Sequence, residues 1–518
     1  MKRSMKVYES CKTSIRIAFF GFVLIAIGFL IQNKNVNLFY TFKSSIILFI
    51  GEFCLKLGEF IVMNLPIIFM LNGVCKKENN AAPVVTALVG YFTFVVTTML
   101  FASQTLDSTA YSTSFGMNSV FNLTTGTRLP LETGMIGSLI VALATRFAFI
   151  LSRHRGNLSL TNLFSKDIAG IVYNVLFCFV GGLLIAYVYP FVFIYIQKGI
   201  KFISEDLNDP VRIATYSVAD RALSIIGLGN VIRNPFWFTS LGGSIQNTST
   251  GQAILGDVNI WSYVTNTVSD YSGAGRFITP YYVINMFMIP GIYIGTILSM
   301  SDKKDRAGTV LAFLGAIALS IVAGNPLSVE LLMLFTSPFL LAIYLILVGC
   351  SSYALVSMEA FLGFETTSAN TIVAMPGSFP DFIINARNAN LSGSMWLIVI
   401  IGLIALVLCV LATMLYYRYL AFSFANDQAA SETVDSIIKA VGGKENIIEA
   451  GSGLFKVNIY LRNPEFFFID KIRKTGVRKV TESKDAISFE FGTSSYAIAK
   501  LINKVVKNWH LMLSWLKI

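Results

Sequence analysis

Eight long apolar runs decide what this chain can fold into: Ile17 to Ile31, Val84 to Phe101, Ile136 to Leu151, Ile168 to Ile196, Tyr281 to Met300, Ala307 to Val322, Leu331 to Val348 and Trp396 to Leu420. A bilayer core needs about 20 residues of helix. Several runs reach that length and the rest fall a little short, as spans with polar ends inside a helical bundle do. With 54% hydrophobic and only 13% charged residues among 518, a soluble globular surface is excluded. The fold class is therefore an α-helical polytopic membrane protein. Shorter runs broken by glycine or proline, Phe60 to Leu71 and Pro235 to Gly243, read as half-spans or re-entrant segments.

The net charge of +11 does not call for nucleic acid, because the basic residues sit in short loops between the apolar runs. Lys2, Arg3 and Lys6, Lys76 and Lys77, Arg153 and Arg155, and Lys303, Lys304 and Arg306 are all placed in the cytoplasm by the positive-inside rule, which puts the N-terminus inside. Met1 to Ile31 starts like a signal peptide, but no small-residue cleavage site follows before Lys34, so it reads as a retained first helix. Six scattered cysteines fit buried thiols rather than a disulfide framework. Two histidines, His154 and His510, make a histidine-based metal or catalytic centre improbable, and no metal or cofactor is called for.

Composition changes near Phe422. Residues 1–425 read as the membrane domain, 426–432 as a polar linker and 433–518 as a small cytoplasmic α/β sandwich. In that last part Thr433 to Val441 has helical spacing, Leu454 to Leu461 and Ala486 to Phe491 alternate like strands, and Tyr496 to Val506 is helical. Two polar, glycine-rich stretches, Gly227 to Gly275 and Phe361 to Ser394, interrupt the membrane pattern. Irregular backbone at membrane depth survives only where protein or a water-filled cavity surrounds it, so these stretches predict a polar substrate path through the bundle.

The candidate substrate-handling residues follow. Arg221, beside Asp220, is either a snorkelling anchor or a fork of donors for a sugar's hydroxyls. Trp237, in the run Asn234 to Phe238, either stacks on a pyranose face or belongs to the interfacial aromatic belt. Glu330 lies between two apolar runs, where a carboxylate is costly unless paired; the alternative is a harmless charge at a helix start after Asn325 and Pro326. Glu132, before Thr133 and Gly134, reads as a loop residue.

With these residues in hand, the chain resembles the IIC-IIB permeases of the glucose and maltose branch of the sugar phosphotransferase system (PTS). The resemblance rests on Asn64 to Phe69 with Gly73, Lys77 and Val89 to Tyr91; on Glu132 to Gly137; on Asp220 to Leu223, Gly227 and Leu228, and Pro235 to Trp237; and on Gly275 to Phe277 with Met286, Phe287, Pro290 and Gly291. In the tail, Val441 to Ile447 resembles the opening of the IIB domain, and Phe491 with Gly492 also fits. The resemblance implies about ten transmembrane helices with re-entrant hairpins, a homodimer in the bacterial plasma membrane, and sugar import with phosphorylation by a protein-phosphohistidine-sugar phosphotransferase reaction. Its partners would be the sugar, the lipid membrane and a separate IIB or IIA protein.

The same resemblance shows what is missing. The family's two adjacent histidines fall on Gly229 and Asn230, and neither can act as a general base. Of the two glutamates of its glutamate-proline-x-glutamate element, one falls on Glu330 and the other on Leu327 or Asn325, depending on alignment. The phosphorylated cysteine of IIB falls on Gly453, and Phe455 and Lys456 replace the threonine-arginine pair. Ser452 beside it is a poor substitute, since a serine ester does not pass on phosphate readily. The substrate-binding candidates are Arg221, Asn230, Asn325, Glu330 and Trp237, with no catalytic residue. The function expected is a PTS IIC-type sugar-transport component that cannot use its own IIB; the alternatives are an uncoupled facilitator or a sugar-sensing paralogue.

Overall fold

A computed structural model describes residues 2–32, 44–75, 81–107, 110–111, 128–153, 166–248, 250–267, 274–363, 376–386, 391–417, 427–453, 455–467, 480–483, 486–492 and 495–516. His154 lies outside them. The first half runs α1 (Lys2–Gln32), α2 (Ser45–Met63), α3 (Leu65–Val74), α4 (Ala82–Phe101), α5 (Gly134–Arg153), α6 (Lys166–Ser204), α7 (Pro210–Ile225) and α8 (Gly229–Phe238). A hairpin of β1 (Ser244–Gln246) and β2 (Ala253–Leu255) and α9 (Asp257–Thr267) follow. Then come α10 (Thr279–Val283), a π-turn at Ile284–Met288, α11 (Ile289–Ser299), α12 (Lys303–Ala323), α13 (Leu327–Thr336), α14 (Pro338–Ser357), α15 (Phe379–Asn385) and α16 (Ser392–Leu415).

Among the described residues eight helical segments are long and apolar enough to cross a membrane, including Thr13–Gln32, Thr279–Ser299 and Gly393–Leu415. The chain is a multi-pass helical bundle, and many large apolar side chains on these helices, such as Leu139, Phe147, Phe191 and Ile404, are exposed. Without a hydrophobic force between helices in lipid, small residues and buried polar groups hold the bundle together. Antiparallel α1 and α2 meet at glycines. A Cβ at Gly28 would lie 2.5 Å from the Leu55 nitrogen, and one at Gly58 would lie 2.6 Å from the Gly21 carbonyl oxygen. Elsewhere Asn174 on α6 ties three helices: its Nδ2 donates to the Thr86 carbonyl of α4 at 2.7 Å, and its Oδ1 accepts from Thr145 of α5 at 3.0 Å.

The structure corrects two expectations and divides a third, broken run. The run Leu331 to Val348 is not one span, because Ser337 leaves the helical region before Pro338, which cannot donate to the preceding turn; a short α13 and a full-length α14 result. Phe60 to Leu71 is likewise split at Asn64 between α2 and α3, and α2 itself, with Glu52, Lys56 and Glu59 inside it, escapes a search for charge-free runs. The stretch Gly227 to Gly275 is largely regular. Gly243 and Gly256, at φ 114° and 88°, make the junctions between short elements that bury Trp237 and Trp261.

The C-terminal part is a small sheet domain. Helix α17 (Asp427–Ala440) begins within the segment read as linker, and β3 (Ile447–Ser452), β4 (Lys456–Leu461), β5 (Val480–Glu482), β6 (Ala486–Glu490) and α18 (Ser495–Leu516) follow. The sheet is antiparallel in the order β3-β4-β6-β5. Val434, Ile437, Ile459, Phe489 and Ile502 from both helices and the sheet make its core. It packs on the turn between α11 and α12, so the two lie on one side of the bundle.

Because Gly28 has no room for a side chain, Gly28→Val should destabilise the α1–α2 pair by about 1–3 kcal/mol. Thermal unfolding in detergent reads this as a lowered midpoint, and an unchanged midpoint would contradict the packing described.

Candidate functional site

In the bundle, four ionisable side chains from three helices converge where each would be costly alone. Asp220 and Arg221 come from α7, Arg233 from α8 and Glu330 from the first turn of α13. Asp220 is shared. Its Oδ1 accepts from Arg233 Nε at 3.2 Å and Nη2 at 2.9 Å, and its Oδ2 accepts from Arg221 Nε at 3.2 Å and Nη2 at 3.1 Å. The Tyr281 hydroxyl of α10 also donates to Asp220 Oδ2. Ser224, one turn on from Asp220, accepts from both guanidiniums, at 3.2 Å from Arg221 and 2.9 Å from Arg233.

Glu330 completes the group. Its side chain is 0% exposed, its Oε1 lies 3.6 Å from Arg221 Nη1 and accepts from Tyr344 Oη of α14 at 2.8 Å. Its Oε2 is buried without a hydrogen-bond partner among the described residues. Two carboxyl groups thus face two guanidiniums, the pairing of opposite charges that makes burial of such groups tolerable. Aromatic rings wall the cluster: Arg221 lies over Tyr281 at 4.9 Å, Arg233 over Trp237 at 5.1 Å, and Trp237 meets Tyr281 edge-on at 6.1 Å.

The candidates from sequence separate clearly. Arg221 is buried, so it is not a snorkelling anchor; its donors meet Asp220 and Ser224. Glu330 is at a helix start, as one alternative had it, yet it is also fully buried and paired, as the other required. Trp237 is 1% exposed with its Nε1 donating to Tyr216 Oη at 3.0 Å, so it belongs to the core and not to an interfacial belt. Two candidates stand apart from the cluster. Asn230 is exposed on α8, and Asn325 Oδ1 accepts from the Leu327 N–H at 2.9 Å, which shapes the entry to α13. Glu132 accepts from the Gly134 N–H at 3.2 Å in the loop before α5, as expected.

Arg233, Tyr281, Tyr344 and Ser224 were not singled out from sequence. The available signal was an arginine inside a helix-length segment twelve residues after a buried arginine. Asn285, in the π-turn, was also missed. Its Nδ2 donates to the carbonyl of Gly324 at 3.0 Å and of Pro376 at 3.1 Å, and its backbone carbonyl accepts from Ser320 Oγ at 2.9 Å. It thereby fixes the junction from which α13 and Glu330 start. Position 229 is filled from outside: a Cβ there would lie 2.3 Å from Ser224 Oγ and 3.2 Å from Arg233 Nη2. Among the described residues no group of three or more metal-ligating side chains occurs.

No protein-family model matches the chain. It is similar to the PTS system glucose-specific EIICBA component of Staphylococcus saprophyticus, 24% identical over 509 residues, which covers 94% of this chain and 70% of the relative. The glucose-specific EIICBA component of Staphylococcus carnosus is 25% identical over 462 residues, 85% of this chain and 63% of that one. The glucoside-specific EIICBA component of the same organism is 22% identical over 506 residues, 91% and 69%. These distant homologues support general membership of the PTS IIC family and leave part of each relative's length unmatched.

Removing the shared carboxylate would leave a buried guanidinium, Arg221, and a part-buried one, Arg233, without that partner. Asp220→Ala should therefore destabilise the bundle by about 3–5 kcal/mol, and Arg233→Ala, at a site 20% exposed, by less. Thermal unfolding of both variants in detergent checks the order; equal effects would deny Asp220 its central role.

Proposed function

We propose that this chain is a IIC-type sugar-transport component of the phosphotransferase system, with its sugar site at the Asp220, Arg221, Arg233 and Glu330 cluster. The observation that carries this is Glu330 Oε2, a buried carboxylate oxygen without a partner among the described residues, next to a guanidinium fork. A sugar hydroxyl donates to such an oxygen while a neighbouring hydroxyl accepts from Arg221. Asn230 and Asn325 lie outside this cluster, so Arg221 and Glu330 are the substrate contacts proposed, with Trp237 shaping the wall. The relatives are glucose- and glucoside-specific by name, and a glucose- or maltose-type sugar is the substrate proposed here.

On this reading residues 1–425 are the permease and 433–518 a IIB-like domain without its phosphoacceptor. The short apolar helices Leu65–Val74 and Leu327–Thr336 are the re-entrant half-spans of a fold of about ten membrane segments. The protein is a homodimer with both termini in the cytoplasm, where Lys303, Lys304 and Arg306 place the turn that the tail packs on. Phosphate would come from a separate IIB or IIA protein. A second reading, an uncoupled facilitator, is favoured by position 229, where Ser224 and Arg233 occupy the space of the family's histidine and offer no general base.

Binding and transport separate these readings. Equilibrium binding of labelled glucose and maltose to the protein in detergent should weaken about 10–100-fold in Glu330→Gln and in Arg221→Ala. Unchanged affinity for every sugar that the wild type binds would remove the site. Incubation with labelled phosphoenolpyruvate and the general phosphotransferase proteins should leave the chain unlabelled, whereas a labelled C-terminal domain would overturn the loss of phosphotransfer. Counterflow in proteoliposomes without a phosphate donor marks a facilitator.

A further inference from the structure

The tail domain is joined to the bundle by a contact whose chemistry differs from that of a transient docking surface. The partner is the turn between α11 and α12. The N–H groups of Ser301 and Asp302 donate to the Ser452 carbonyl at 3.1 and 3.0 Å. The Ser452 N–H donates back to Ser301 Oγ at 2.7 Å, and the two hydroxyl oxygens lie 2.8 Å apart. Asp302 Oδ2 accepts from Asn458 Nδ2 at 2.9 Å and from Tyr460 Oη at 2.8 Å, while Asp305 Oδ2 accepts a second hydrogen from Asn458 at 2.9 Å. Ser488 Oγ donates to Asn458 Oδ1 at 2.7 Å and so fixes that amide.

Burial shows where the strength lies. Asp302 is 3% exposed, Ser452 1% and Asn458 5%, so these hydrogen bonds are shielded from water. The Lys456–Asp305 pair at 2.8 Å has a lysine 46% exposed and adds little. Asp302 also serves the bundle directly: its Oδ1 accepts from the Asp305 N–H at 2.9 Å and caps α12. Burial alone would raise its pKa, but the donors from Asp305, Asn458 and Tyr460 outweigh burial and hold the carboxyl below its ordinary value. The charged form is the one that the joint binds.

The hairpin tip is built to fit this turn and nothing larger. A Cβ at Gly451 would lie 2.7 Å from Asp302 Oδ2, and one at Gly453 would lie 2.3 Å from Asp305 Oδ2. Two carboxylates against the tip also oppose any anionic group carried there. The turn is well placed to act on the buried cluster. The helical segment Thr279–Ser299, which carries Tyr281, ends just before it, and α12 leads from it to Gly324, held by Asn285, and on to Glu330.

We propose that the β3–β4 hairpin is a permanent intramolecular clamp: its Ser452, Asn458 and Tyr460 grip the Ser301, Asp302 and Asp305 turn, and the tail domain braces the helices bearing Tyr281 and leading to Glu330. This goes beyond the transport reading and does not depend on which sugar, or whether any sugar, is moved. The domain is a fixed part of the bundle and not a carrier that swings between partners.

Hydrogen–deuterium exchange on the full chain in detergent, comparing wild type with the D302A/D305A variant, tests the clamp. The amides of Ser301, Asp302 and Ser452 should exchange slowly in the wild type and at least about tenfold faster in the variant, with those of Ile459 and Ile487 unchanged. Wild-type amides at 301, 302 and 452 that already exchange as fast as the variant's overturn the proposal. If the variant also loosens the sheet, the Ser301→Cys, Ser452→Cys double variant decides. A fixed clamp gives near-complete cross-linking under mild oxidation, and slow, partial cross-linking of a folded protein overturns it.

Discussion

Asp220 holds two guanidiniums at once, and the geometry of the bundle's polar centre depends on that sharing. A single arginine taken into the membrane interior is expensive, and two facing each other repel. The carboxylate between them changes the sign of the arrangement: each oxygen serves one guanidinium at two nitrogens, and Tyr281 adds a donor to the side facing α10. Helices α7, α8 and α10 are thereby drawn together by directional bonds that lipid cannot replace. Arg221 has an Nη1 left over, and this is the group that meets Glu330. The second carboxylate is consequently tolerated, and its remaining oxygen is the one feature of the cluster not accounted for by internal partners among the described residues.

Much of the bundle was legible in the sequence because lipid-facing helices need long apolar runs, and seven of the eight runs fall on candidate spans as single units. What failed was punctuation. Proline after Ser337 cut one run, and three charged residues hid α2 among the loops although its apolar side chains face outward. Within the site, Glu330 and Arg221 announced themselves as charges among apolar neighbours. Arg233 did not, because Gly229, Asn230, Asn234 and Pro235 around it make α8 read as a polar, broken segment. Tyr281 and Tyr344 carry no sequence mark at all: a tyrosine in an apolar helix is ordinary until the fold sets a carboxylate beside its hydroxyl.

In the tail, β4 and β6 were readable because each packs one face on the helices and alternates accordingly. Strand β3 was not. Its last three residues, Ala450, Gly451 and Ser452, are all buried, on both faces. One face lies on the domain's own core, and the other is covered by the turn from the bundle. A contact with a segment about 150 residues away in sequence erased the alternation, so the same interaction that ties the two parts together also concealed the strand.

That contact bears on the proposed loss of the phosphoacceptor as well. At Gly453 the absence of a Cβ does two things at once. It removes any nucleophile, and it lets Asp305 approach to within 2.3 Å of where a side chain would begin. A loop that carried a phosphoryl group would need donors around its tip and freedom to leave; here the tip faces carboxylates, and its neighbours Ser452 and Asn458 are committed to the turn by buried hydrogen bonds. A cysteine placed at 453 would have to displace Asp305, the same carboxylate that Asn458 and Lys456 bind, so on the proposed reading it would not by itself make a carrier. On the proposed reading, the loss of phosphotransfer chemistry and the fixed joint both follow from the same small residue.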